Sequence, residues 1–133
     1  MRQAAALPYR HAHGPDGTVE VLLVTSSSQR WIIPKGDIDA GMEPHLAAEK
    51  EAFEEGGVRG SISDRSIGIF HTCKQQDGAA VQAEVEVFPL KVGEELERWP
   101  EMAQRQRRWL PVSEAALAME EPELQAIISS FRP

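Results

Sequence analysis

The stretch from Gly36 to Val58, GDIDAGMEPHLAAEKEAFEEGGV, constrains this chain more than any other. Pro44 suits the first turn of a helix, where a missing N–H costs nothing. Gly56-Gly57 supplies a left-handed stop. Between those limits the pattern predicts a helix from Pro44 to about Glu55. It carries Glu51, Glu54 and Glu55 at spacings of three and four, which crowds three negative charges onto one face. Like charges so placed cost a helix roughly 0.2–0.5 kcal/mol per pair, and a bound cation reverses the sign. Oxygen donors with no Cys or His among them point to Mg²⁺ or Mn²⁺. Leu46, Ala47 and Phe53 are expected to face the core, and the three carboxylates the other side.

The 133 residues fit one domain, residues 1–133, with a core that needs no staples. Cys73 is the single cysteine, so no internal disulfide forms, and it reads as a small apolar filler of a strand. The net charge of −7 argues against non-specific binding to nucleic acid or anionic membranes. It leaves room for a local cluster of Arg and Lys to hold a polyanionic substrate. No run approaches the roughly 18 apolar residues of a membrane span. The opening Met1 to Pro8 is too short, and too early broken by Pro8, for a signal peptide. A soluble, cytoplasmic protein is expected.

Along the chain, Ala4 to Tyr9 reads as a first strand ended near Pro8, and His13 to Gly17 as a turn. Thr18 to Thr25 is the clearest strand, nearly continuous in apolar character as a central strand should be. Ser26 to Arg30 is a polar loop, Trp31 to Ile33 a short strand stopped by Pro34, and Lys35 to Glu43 a loop. Ile62 to His71 and Val81 to Leu90 flank a turn at Gln75-Gln76-Asp77-Gly78 and read as a hairpin. Arg107 to Leu110 is a strand. Ser113 can cap a helix from Glu114 to Met119, and Pro122 opens a last helix to about Phe131. Strands with one central and one or two terminal helices give an α/β sandwich.

The Gly36–Val58 stretch resembles the Nudix box, G-x5-E-x7-R-E-U-x-E-E-x-G-U, with Gly36, Glu51, Glu54, Glu55, Gly57 and Val58 in register. Three positions depart from it: Met42 stands at the first Glu with Glu43 one place late, Lys50 at the Arg, and Ala52 at the bulky aliphatic position. Lys lacks the planar bidentate fork of Arg, so a brace from position 50 to a helix carboxylate is expected to be weaker. Met42 bears on the order of the loop. Glu20 to Ser28, Arg30 to Pro34, Gly41 to Pro44, Gly68-Ile69-Phe70, Glu97-Arg98-Trp99 and Arg107-Arg108-Trp109 extend the likeness. They resemble the diphosphoinositol polyphosphate and diadenosine polyphosphate phosphohydrolase branch.

The resemblance implies a Nudix fold, an α/β/α sandwich with a mixed sheet and the box as loop-helix-loop. It implies hydrolysis of a phosphoanhydride with Mg²⁺ or Mn²⁺ held by Glu51, Glu55 and the Gly36 carbonyl, against the plainer reading of a solvated acidic face. Glu54 is a further ligand or the partner of Lys50. Glu55, or Glu54 beside it, is the catalytic carboxylate, with Glu55 preferred as base. Glu84 or Glu86, on one strand face, can complete the metal shell or simply meet solvent. Arg10, Arg30, Lys35, Arg105 and Arg107, with Ser27 and Ser28, are the positions expected to grip polyphosphate oxygens. Trp31 and Trp109 read as core or pocket wall, and Trp99 as a loop anchor before a stacking platform. The histidines have no ligand spacing. The expected substrate is a small polyphosphorylated molecule, a dinucleoside polyphosphate or diphosphoinositol polyphosphate. The rivals are a 5′-triphosphate RNA or nucleotide-sanitising hydrolase, and a binding module that has lost turnover.

Overall fold

The computed structural model describes residues 1–12 and 17–133. Among them, eight strands form one mixed sheet: β1 (Arg2–His11), β2 (Val19–Thr25), β3 (Trp31–Ile32), β4 (Lys35–Asp37), β5 (Val58–Ile62), β6 (Gly68–Gln76), β7 (Ala79–Glu95) and β8 (Arg107–Pro111). The helices are α1 (Pro44–Gly56), α2 (Val112–Ala118) and α3 (Pro122–Ser129). β1 is the axis. It runs parallel to β7 on one edge and antiparallel to β4 and then β2 on the other.

The alternation of a strand explains the layers. Ala5 and Leu7 face a core with Val21, Leu23, Phe70, Val85 and the α3 residues Leu124 and Ile128. Ala4 and Ala6 face the opposite core, with Leu22, Phe88, Leu90 and the α1 residues Ala47, Ala48 and Ala52. Helices therefore cover both faces, as expected of an α/β/α sandwich. Alanine meets alanine where α1 crosses β1, so no long side chain props the helix off the sheet.

Ala47 faces the core as expected, but that close approach overturns the rest of the expected orientation of α1. Leu46 is 42% exposed, and Phe53 lies half-buried under the Arg59 guanidinium. The buried face holds Ala47, Ala48 and Ala52 together with Glu51 and Glu55.

Other boundaries shift for local reasons. β1 runs past Pro8 to His11. Pro8 falls between the stretch paired with β4 and that paired with β2, so on that edge no ladder partner stands opposite the ring. The loop expected after Pro34 begins with β4, too short to show a period. β5 was not foreseen; it contains Gly60 at a bulge and is mostly exposed. β6 starts at Gly68 rather than Ile62, and the hairpin closes over Asp77-Gly78 alone, both at positive φ. α2 starts at Val112 behind Pro111, so Ser113 lies inside the helix and caps nothing. Cys73 is exposed on β6, not a buried filler. The turn expected over His13 to Asp16 lies outside the described residues. No helix among the described residues is long and apolar enough to cross a membrane.

Candidate metal centre and its cationic wall

Gly36 is the middle residue of β4 and pairs with Ala4, which puts it on the α1 face of the sheet. Lys35 and Asp37 flank it on the opposite face by the alternation of the strand. A Cβ on Gly36 would stand 2.5 Å from the Glu51 carboxylate carbon, so only glycine permits this approach. Glu51 and Glu55 lie one turn apart and are 9% and 6% exposed. Glu51 accepts no hydrogen bond from the described residues. No fully enclosed side-chain polar atom there lacks a partner, so the Glu51 oxygens keep contact with solvent. Glu55 accepts from the Lys35 backbone N–H at Oε1 (3.3 Å) and pairs with the Arg105 guanidinium at Oε2 (3.3 Å).

Two carboxylates buried side by side resist ionisation. Burial raises the Glu51 carboxyl, and the charge of Glu54 raises it further. Burial pushes Glu55 up to about 8; the Arg105 charge opposes this and loses. A cation would relieve both penalties. Among the described residues no three His, Cys, Asp or Glu side chains are gathered tightly enough to hold a metal by themselves. Mg²⁺ commonly takes one or two carboxylates and completes its shell with water and substrate phosphate. The donor set of Glu51, Glu55 and the Gly36 carbonyl fits such an ion.

The box's departures have local answers. Lys50 Nζ pairs with Asp39 Oδ2 at 2.9 Å, so it fastens the preceding loop instead of bracing Glu54. Met42 packs against the α1 core, and its N–H donates to the Asp39 carbonyl. The loop is thus tied by an ion pair and an apolar contact. Glu43 precedes the helix and makes no side-chain cap. Glu54 is half-buried on the same helix, and its charge bears on Glu51.

The expected cations divide into two groups. Lys35 is half-buried, and its Nζ donates to Gln3 Oε1 at 3.2 Å. Burial lowers its pKa, with Glu55 opposing and Arg30 adding to the drop. Arg30 pairs with Glu120 and Glu121. Arg105 touches Glu55, Glu101 and the Thr25 carbonyl, and it shares a small pocket of about 240 Å³ with Ser27. Ser28 is exposed on the same turn, its hydroxyl against Ser26. Of these, Arg105 contacts Glu55 directly, and Lys35 reaches it through its backbone N–H and its charge. Arg10 and Arg107 are engaged elsewhere. Arg10 stacks on Trp109 and pairs with Glu20. Arg107 bonds the Gly56 and Leu96 carbonyls and lies 3.9 Å from the Trp99 ring centre. Trp99 is an anchor, as expected: its Nε1 donates to the Glu55 carbonyl at 3.0 Å.

The structure adds residues that spacing did not mark. Glu101 holds Arg105 and donates its backbone N–H to the Glu54 carbonyl, and its charge bears on both Glu51 and Glu55. Gln3 and Lys74 reach the site from distant strands, and no local pattern signals them. Ala4 pairs with Gly36 on one side and Glu86 on the other, which sets Glu86 on the α1 face with Arg2 at 3.8 Å; Glu84 is exposed.

The NUDIX domain model matches residues 3–131. Nudix hydrolase 18, mitochondrial, of Arabidopsis thaliana is 36% identical over 114 residues, 82% of this chain and 63% of that protein. Diphosphoinositol polyphosphate phosphohydrolase 3-alpha of Mus musculus is 39% identical over 100 residues, 72% of this chain and 57% of that protein. The chain thus spans less than two-thirds of either relative. The C. elegans Ap4A hydrolase binary complex has the same fold, with a TM-score of 0.69 at 20% identity over 96% of this chain and 92% of that one. With 129 residues matched by the family model, Gln3 to Phe131, the chain belongs to the NUDIX domain family.

Proposed function

We propose that residues 1–133 act as one domain that hydrolyses a phosphoanhydride in a small polyphosphorylated substrate with Mg²⁺ or Mn²⁺. The observation that carries this reading is the buried Glu51–Glu55 pair against Gly36, with Arg105 on Glu55 and the Lys35 backbone N–H bonded to it. Glu51, Glu55 and the Gly36 carbonyl hold the ion, with Glu54 on the same helix as a further ligand. When bound, it neutralises diphosphate charge and lowers the pKa of water in its shell. Glu55 would take the attacking water's proton in its ionised form, which the Arg105 charge and the cation both favour. Arg105 holds that carboxylate in place and leaves Glu101 beside it. Lys35, Arg30, Ser27 and Ser28 meet the phosphate oxygens.

Dinucleoside polyphosphates and diphosphoinositol polyphosphates are the preferred substrates. The names of the mouse relative and of the C. elegans structural neighbour support that choice. The test is phosphate release from a panel of both classes and of nucleoside triphosphates, with Mg²⁺ and with Mn²⁺. Wild type should turn over at least one of the first two classes, and Glu55→Gln should lose at least about 10²-fold in kcat. Binding without turnover by wild type would leave a ligand-binding module. Full activity in Glu55→Gln would mean that the centre lies elsewhere.

A further inference from the structure

Among the described residues the buried polar side chains are Gln3, Thr25, Glu51 and Glu55. Three of them already have a part in the site: Thr25 carries the carbonyl that holds Arg105, and Glu51 and Glu55 are the carboxylates. Gln3 has no such part, although a buried amide must have its partners supplied. Its Nε2 donates to Asp37 Oδ1 at 3.1 Å, and its Oε1 accepts from Lys35 Nζ at 3.2 Å. The amide therefore stands between an anion and a cation on the same face of β4, two residues apart. Asp37 is the natural ion-pair partner of Lys35, yet no carboxylate of the described residues lies within ion-pair distance of Lys35 Nζ. Asp37 is taken instead by Lys74, which reaches across from β6 to Oδ2 at 2.6 Å.

We infer that Lys74 and Gln3 are positioning residues that keep Asp37 off Lys35, so that the Lys35 ammonium stays open for a phosphate anion. The inference rests on Lys35 meeting substrate phosphate, as proposed above. An ammonium already bonded to a carboxylate would have to give up that bond before it could hold a phosphate. Gln3 offers Lys35 only a neutral oxygen, which fixes its direction without cancelling its charge. Lys74 satisfies Asp37 on the far side. The order Lys35, Gln3, Asp37, Lys74 alternates cation, dipole, anion, cation, and it orients the Gln3 amide in one sense only.

The experiment measures binding of inorganic tripolyphosphate by calorimetry in saturating Mg²⁺. Lys74→Met frees Asp37 for Lys35, and the affinity should fall about tenfold, the weight of one bond to a charged group. Lys74→Met combined with Asp37→Asn should return to within about twofold of wild type, because the quenching charge is gone. Lys74→Arg should keep the wild-type affinity. In a Lys35→Met background, Lys74→Met should change nothing further. Gln3→Met should weaken binding as Lys74→Met does; should it fail to fold, the Lys74 series, on a half-exposed side chain, stands alone. The inference is overturned if wild type binds no tripolyphosphate, if Lys74→Met binds as wild type does, or if Asp37→Asn fails to rescue, since Lys74 would then contact the anion itself. Hydrolysis by wild type is scored separately. Loss of turnover with this binding pattern intact counts against the proposed function alone.

Discussion

A methyl group at position 36 would fall against the Glu51 carboxylate, with its nearest oxygen at 2.6 Å. Gly36→Ala must therefore displace Glu51 or β4. The expected cost is about 1–3 kcal/mol in urea unfolding, with a larger loss in kcat, about 10²-fold for a ligand misplaced by an ångström. Glu55 gives a pH prediction. Its folded-state pKa is raised from 4.5 to about 8. A raised pKa means the folded state favours the protonated carboxyl. Its contribution to stability is full below about pH 4.5 and is lost as pH rises through about 8. Urea unfolding in EDTA should show this decline, and Glu55→Gln should flatten it. The identities of Glu51, Glu54 and Glu55 were legible because helical spacing depends only on local sequence. Their burial was not, because it depends on alanines 4 and 6 of another strand. Gln3 and Asp37 lie 34 residues apart, and Asp37 and Lys74 lie 37 apart; no periodicity in the chain couples them.

At the scale of the element, α1 begins and ends where Pro44 and Gly57 said it would. Gly57 has φ 65, and its N–H donates to the Phe53 carbonyl at 3.1 Å. No basic residue occupies the helix's own last turn, so Arg107 from β8 supplies the positive end. Gly57→Ala should cost about 1–3 kcal/mol, from the left-handed φ and from a Cβ that would meet Arg107 and Trp99 at 2.6–2.8 Å. Arg107→Met should likewise lower thermal stability while leaving KM nearer wild type than Arg105→Met does, since only Arg105 touches a site carboxylate. Strands with strong alternation or continuous apolar runs, β2 and β7, were legible. β4 and β5 were not. One is three residues long, and the other is exposed and broken by a bulge. Each exists because a neighbour offers it a ladder.

Over the whole molecule, β4 is a partition one strand thick. Lys35 and its partners stand on one face of the sheet, and Glu51 and Glu55 on the other. Ion binding to the native state alone raises stability by mass action, and protons compete for the same oxygens. Mg²⁺ should therefore raise Tm more at pH 8 than at pH 5, a difference that Glu51→Gln should abolish in differential scanning calorimetry. The Trp99 indole, bonded to the Glu55 carbonyl with a guanidinium over its ring, sits at the end of the helix that carries Glu51 and Glu55. The chain therefore carries its own optical gauge. A Trp31→Phe, Trp109→Phe variant would leave Trp99 as the single tryptophan, and its emission, excited selectively over Tyr9, would follow the helix end during a Mg²⁺ titration with no label attached.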